Sequence, residues 1–317
     1  MLALEIKNLT KEYTVGFWRK KPVRALDNLN LEVHQGESFG FLGPNGAGKT
    51  TTLKILMRLI FPTGGEAKIL GAGLDDMAMR ARIGYLPEQP YFYDYLTARE
   101  LLVYCGKLFG LNKADALSRA EKLIQQVGLE HAADKQLRKY SKGMLQRAGL
   151  AQSLINDPEV LFLDEPMSGL DPMGRREVRE LIAGLRAQGK TVFFSSHVLS
   201  DVEALCDRVA IMNKGCLLEA GKLTDILGKC TNELEAVVAN VSVQVLEELK
   251  AFALLVTPVA EGARIRLESE RQIERLVTIV HRNGGNVISL NPVRESLEDL
   301  FVREVSSSTQ AALQAAS

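Results

Sequence analysis

The feature that most constrains this chain is the octapeptide Gly43-Pro44-Asn45-Gly46-Ala47-Gly48-Lys49-Thr50, which fits the pattern G-x-x-x-x-G-K-[ST]. It follows the apolar run 38–42 and precedes a helical stretch over residues 51–59. A strand, a glycine-rich turn and a helix in that order free backbone N–H groups to close around phosphate oxygens. The helix N-terminus adds its positive end to the same spot. Lys49 is placed to reach the β- and γ-phosphates and Thr50 to ligate Mg²⁺, with Thr51 as the next residue of the binding turn.

Composition narrows the class. In 317 residues, 39 Lys plus Arg balance 39 Asp plus Glu, and 46% of the chain is hydrophobic. A binder that works by neutralising nucleic-acid phosphates carries a basic excess, and a disordered chain combines low hydrophobicity with high net charge. Neither fits, so a folded protein with no nucleic-acid partner is expected. No run approaches the roughly 20 apolar residues of a membrane span. The first seven residues lack the pattern of a secretory leader, so a cytosolic location is expected. Cys105, Cys206, Cys216 and Cys230 are scattered without C-x-x-C spacing, which reads as reduced thiols.

A phosphate loop alone suits many enzymes, and the downstream residues decide among them. Val160-Leu161-Phe162-Leu163-Asp164-Glu165 is an apolar strand ending in two carboxylates. Asp164 is thereby placed beside Mg²⁺, directly or through water, and Glu165 is left to polarise an attacking water. Four further segments stand in order around it: Tyr13, Ile83-Gly84-Tyr85-Leu86-Pro87-Glu88-Gln89, Tyr140-Ser141-Lys142-Gly143-Met144 and Ser168-Gly169-Leu170-Asp171. His197 follows Ser195-Ser196 at a strand end. Ser141 and Gly143 open a helix whose hydroxyl and free N–H groups make a second phosphate-type site.

Over residues 1–220 this set resembles the nucleotide-binding subunit of an ABC transporter. The resemblance implies that Tyr13 stacks on adenine, that Glu165 and His197 act with Lys49 in catalysis, and that Asp171 belongs to the D-loop. It implies that Ser141, Lys142 and Gly143 form a signature that closes on the nucleotide held by a partner's loop. A head-to-tail dimer with two ATP molecules follows, built from two copies or from one copy and a paralogous ATPase subunit. The partner beyond it is a separate transmembrane permease, which would hold the chain peripherally on the inner face of the membrane.

The sequence departs from the family pattern twice. Lys142 stands for a glycine and Met144 for a glutamine, so altered affinity rather than inactivity is expected. Glu88 stands where the family usually has glutamine, with Gln89 next; either oxygen can serve Mg²⁺. His34, His131 and His281 read as structural. A nucleotide kinase would need neither the signature nor His197. A soluble ABC-type ATPase acting on a macromolecular complex is the remaining alternative, although such relatives usually carry two ATPase halves or a long coiled coil.

The expected fold is α/β: a P-loop ABC-type ATPase domain with a helical signature subdomain over residues 1–220, then a small α+β ferredoxin-like domain over 221–305 and a flexible tail over 306–317. Strands are predicted at 81–86, 159–164, 191–195 and 208–212, and a helix at 174–188. Ser200-Asp201-Val202-Glu203 reads as a capping box opening another helix. Beyond residue 221 the order is β-α-β-β-α-β, the split βαβ arrangement, ending in a helix over 295–305. Ser296-Leu297-Glu298-Asp299-Leu300-Phe301 resembles a segment of exporter-type subunits, which implies export. The second domain regulates, pairs with its twin, or serves only as passive support. Two surface features remain. The cluster Tyr91, Phe92, Tyr93 and Tyr95 is either subdomain core or the anchor for a permease helix. The basic stretch from Arg19 to Arg24 is a solvated hairpin tip or a lipid contact.

Overall fold

The computed structural model describes residues 1–16, 21–227, 233–259 and 262–292. The chain divides into two compact units, Met1–Leu223 and Thr224–Ser317.

In the first unit, β1 (Leu2–Val15) and β2 (Lys21–His34) pair antiparallel and are followed by β3 (Ser38–Leu42) and α1 (Lys49–Leu56). The chain continues through β4 (Gly64–Ile69), β5 (Ala72–Gly73), α2 (Met77–Arg80) and β6 (Ile83–Leu86). Three helices come next, α3 (Ala98–Leu108), α4 (Lys113–Gln126) and α5 (Lys142–Ser153). Then β7 (Val160–Asp164), α6 (Pro172–Ala187), β8 (Thr191–Ser196), α7 (Leu199–Leu205), β9 (Arg208–Asn213) and β10 (Cys216–Lys222) complete the unit.

Two sheets result. One has the order β10-β9-β3-β8-β7-β6, parallel except for β10. Every residue of β3, β7 and β8 is buried, which is why their centres read as apolar runs instead of alternating patterns, with the polar residues of β8 confined to its two ends. Phe193 sits at their centre, stacked on Phe39 at 5.6 Å and against Phe41 and Phe162 at 5.2 and 5.7 Å. The other sheet is antiparallel, in the order β2-β1-β4-β5. It packs Leu4, Ile6, Leu29 and Ile69 into one core with those phenylalanines and with Leu53 and Ile55 of α1.

The helices begin where local chemistry allows. Thr97 and Glu100 form a reciprocal capping box at α3, and Asp171 caps α6 with Pro172 in the first turn. The capping box expected at Ser200 does not form. β8 runs on through Ser196, the Ser196 hydroxyl accepts the Val198 N–H at 2.9 Å, and α7 has already started at Leu199 with Val198 at its N-cap. Ser200 is therefore inside the helix. Of the basic stretch, Arg24 is spent on Glu12 and Asp27 at 2.8 and 3.0 Å, and residues 17–20 lie outside the described residues.

A short helix, α8 (Leu223–Leu227), begins at the junction. The second unit is β11 (Leu234–Ala239), α9 (Val243–Lys250), β12 (Leu255–Val259), β13 (Gly262–Leu267), α10 (Ile273–Arg282) and β14 (Asn286–Pro292). Its strands pair antiparallel in the order β12-β13-β11-β14, so β13 splits the β11-α9-β12 unit as the sequence order predicts. Ala236, Val238, Ile265 and Leu267 pack with Val245, Leu249, Leu276 and Val280 from the helices. The helix expected at 295–305, the segment Ser296 to Phe301 and Cys230 lie outside the described residues.

α7 seats on β3 at Gly40, where an added methyl carbon would lie 2.6 Å from Val202 Cγ1 and 2.8 Å from Cys206 Sγ. Gly40→Ala is expected to cost about 1–3 kcal/mol by overpacking, read as a lowered midpoint in thermal or denaturant unfolding.

Candidate active site

The carboxyl ends of β3, β8 and β7 lie side by side, with Leu42 paired to Ser196 and Asp164 to Ser195. This is the edge where open parallel sheets bind ligands. The strand bearing Ser195 and Ser196 therefore sits between the strand feeding the phosphate loop and the strand ending in the two carboxylates. A cavity of about 460 Å³ opens there, lined by the loop from Pro44 to Thr51, Glu88, Glu165, Ser168 and His197.

Two of the loop's glycines, Gly43 and Gly48, are needed for space. Gly48 has φ +105, and a side chain there would strike Ala25 O and Leu26 Cδ2, both at 2.7 Å. A side chain at Gly43 would strike Met212 O at 2.5 Å and Ala47 Cβ at 2.8 Å. The Lys49 ammonium is buried and accepted by Gly43 O at 2.6 Å and Pro44 O at 3.4 Å, and it stands 3.3 Å from Glu165 Oε1. Glu165 is only 7% exposed. Its other oxygen, Oε2, accepts from His197 Nδ1 at 2.8 Å. Its backbone has φ +48, a left-handed conformation uncommon for a residue with a side chain. The carboxylate thus lies between an ammonium and an imidazole, on a strained turn at a strand end.

Asp164 is more deeply buried. Its Oδ1 accepts from Ser195 Oγ at 2.6 Å and Thr50 Oγ1 at 3.3 Å, while Oδ2 has no hydrogen-bond partner among the described residues. Burial pushes its carboxyl above the ordinary range, against the pull of the two hydroxyls, and the Glu88 charge adds to the rise. A cation brought to this point would relieve both the orphaned oxygen and the desolvation.

Thr50, Asp164, Glu165, Lys49, Glu88 and His197 are brought together. Gln89 is exposed and not among the lining residues. Tyr13 lies near the end of β1, with the Lys11 ammonium 5.1 Å from its ring centroid, and is likewise outside the lining. Ser141, Lys142, Gly143 and Asp171 line a different cleft of about 330 Å³ with Gly169, Leu170 and Glu177. There Ser141 Oγ accepts the Met144 N–H at 3.3 Å as the cap of α5, and Asp171 accepts the Gly174 N–H at 2.8 Å.

Comparison with known proteins fits this geometry. The profile described as ABC transporter matches residues 26–168. An uncharacterized ABC transporter ATP-binding protein of Synechocystis is 47% identical over 95% of this chain and 84% of its own length. The chain belongs to the ABC transporter ATP-binding family. It is an ATP-binding subunit of that family and an ABC-type ATPase. The Nod factor export ATP-binding protein I of Cupriavidus metallidurans is 35% identical over 88% of this chain and 91% of its own length. The cassette MJ0796, solved as a dimer in a post-hydrolysis state with ADP and Pi, is 28% identical, with a TM-score of 0.63 over 69% of this chain and 98% of its own.

Within this ABC cassette, sequence reasoning passed over Ser195. Its hydroxyl donates to Asp164 and accepts the Glu165 N–H at 3.0 Å, joining both carboxylate residues to β8. The signal lay in a pair of serines, Ser195 and Ser196, ending a fully buried strand. Ser195→Ala removes a donor from one buried carboxylate and orphans a buried N–H. A loss of roughly 1–3 kcal/mol in unfolding free energy and a fall in ATPase rate are expected; chemical denaturation and steady-state turnover measure them.

Proposed function

We propose that this chain closes head to tail with a second ATPase subunit on two ATP molecules and powers export through a separate transmembrane permease. The observation that carries the hydrolytic part is Glu165, held between Lys49 and His197 at the mouth of the phosphate-loop cavity. Glu165 orients and polarises a water in line with the γ-phosphoryl group, and His197 fixes the carboxylate through its Nδ1 hydrogen bond. Lys49 leaves its loop carbonyls for the transferring phosphoryl charge, which the loop N–H groups share. Tyr13 stacks on the adenine.

The residues at Asp164 fit Mg²⁺. Thr50, Asp164 and Glu88 offer hard oxygen donors, and Asp164 Oδ2 is buried without a hydrogen-bond partner. When bound, the ion neutralises charge on the β- and γ-phosphates.

The signature cleft, with Ser141, Lys142 and Gly143 at the start of α5, closes on the partner's ATP, and Asp171 stands beside it in the D-loop. The MJ0796 dimer supports pairing of two ATPase subunits, and the Nod factor export relative supports an export role. The permease contact is the aromatic cluster. Phe92 turns inward toward Gly149 of α5, while Tyr91, Tyr93 and Tyr95 are exposed, and the Tyr93 ring meets Tyr95 at 5.9 Å and Tyr104 at 6.2 Å. Such a platform suits an amphipathic permease helix. This contact would hold the chain at the inner membrane face; among the described residues no helix is long and apolar enough to cross a membrane.

Glu165→Gln is expected to retain ATP binding and to accumulate an ATP-dependent dimer on size exclusion while losing nearly all turnover; wild-type hydrolysis would remove Glu165 from the mechanism. Alanine at Tyr91 and Tyr95 together is expected to leave ATP binding intact and abolish co-purification with the permease. Unchanged co-purification would move the contact elsewhere.

A further inference from the structure

We infer that Asp201 and Arg175 are positioning residues for His197, tying the helix that carries the D-loop to the helix that follows the histidine. The inference rests on the proposed role of His197 in holding Glu165.

Asp201 lies in the first turn of α7, four residues after His197, and its side chain is 3% exposed. A carboxylate that deep in a protein must be compensated or it destabilises the fold. The favourable field of the α7 N-terminus supplies one part. The other comes from α6: Arg175 Nη1 stands 3.9 Å from Asp201 Oδ2. Arg175 is in turn four residues after Asp171, whose carbonyl accepts the Arg175 N–H at 2.9 Å.

The pair closes a circuit. From Glu165 the chain turns tightly, with the Ser168 N–H donating to Glu165 O at 3.0 Å, and reaches Asp171 at the cap of α6. From Asp171 the path runs through Arg175 and Asp201 to α7, and through His197 Nδ1 back to Glu165 Oε2. The backbone flanking His197 is tied locally by Ser196, whose hydroxyl accepts the Val198 N–H at 2.9 Å and donates to Val198 O at 3.3 Å. Its side chain is 43% exposed, and α7 starts without a side-chain cap, at Val198, the residue directly after His197. On its inner side Val202 and Cys206 of α7 pack over Gly40, and just past its C-terminal end Asp207 exchanges hydrogen bonds with Ser38 of β3 at 2.9 and 3.1 Å. The Asp201–Arg175 pair adds the charged link from α7 to α6, the helix that follows the D-loop. A D-loop displaced by a second subunit would therefore shift His197 through α6 and α7 within the same chain.

Asp201→Asn keeps the size of the side chain and removes its charge; Arg175→Met removes the partner, and Arg175→Lys keeps a cation. In the full-length protein, the first two are expected to lower kcat about tenfold or more with nucleotide affinity unchanged, since small misplacements of reacting groups are costly. Arg175→Lys should restore most of that loss. The second readout is the His197 ring resonance, assigned among the four histidines by its absence in His197→Ala. It should move in Asp201→Asn while those of His34, His131 and His281 stay. Unchanged kcat, or a kcat that falls only with the thermal midpoint while the His197 resonance stays in place, overturns the inference. Should Asp201→Asn fail to fold, Arg175→Met carries both readouts. Because the resonance is read on the nucleotide-free chain, its outcome is separate from failure of the dimer or of Glu165 as the hydrolytic residue.

Discussion

Two carboxylates and an ammonium are held out of water at one end of the larger unit, and the surrounding structure depends on compensating all three. Buried ion pairs add little net stability, yet removing one member leaves a charge stranded at a cost of several kcal/mol. Lys49 is divided between two loop carbonyls and Glu165. Ser195 serves Asp164 and the Glu165 backbone at once, which is possible only because β8 is wedged between β3 and β7 in fixed register. The parallel sheet is thus more than a scaffold beneath a loop. Its strand order decides which buried groups can reach each other, and the phenylalanines packed about Phe193 hold that order in place.

Legibility in the sequence followed the locality of the interaction. β3, β7 and β8 are readable because strands buried on both faces carry apolar runs at their centres between turn signals. The residues at their ends were readable because phosphate chemistry demands particular types at particular spacings. The antiparallel sheet was harder. β1 and β2 carry register shifts, and Asn8 and Asn28 adopt φ +52, so the strict alternation that marks a half-buried strand is broken. The start of α7 was misplaced for a similar reason: the serine-to-glutamate spacing at 200–203 was present, but extension of β8 through Ser196 decided where the helix began. Ser195 and Asp201 take their importance from partners 31 and 26 residues away, which no local pattern records.

The smaller unit shows the opposite balance. Its element order alone implied a split βαβ sheet, and the pairing β12-β13-β11-β14 follows it, because short connections and one apolar face per element leave few other solutions. No chemistry was legible there, and its side chains converge on packing between sheet and helices.

The left-handed backbone at Glu165 has an evolutionary consequence. Residues with φ near +50° favour glycine or asparagine, and a glutamate held there carries strain on the order of 1–3 kcal/mol. Selection for folding alone would favour replacing it, and a lineage freed from the need to turn over ATP would drift toward a calmer residue at this turn while keeping its phosphate loop intact. An acidic side chain kept at this turn would then mark continued ATP turnover, independently of how well the rest of the cassette is preserved.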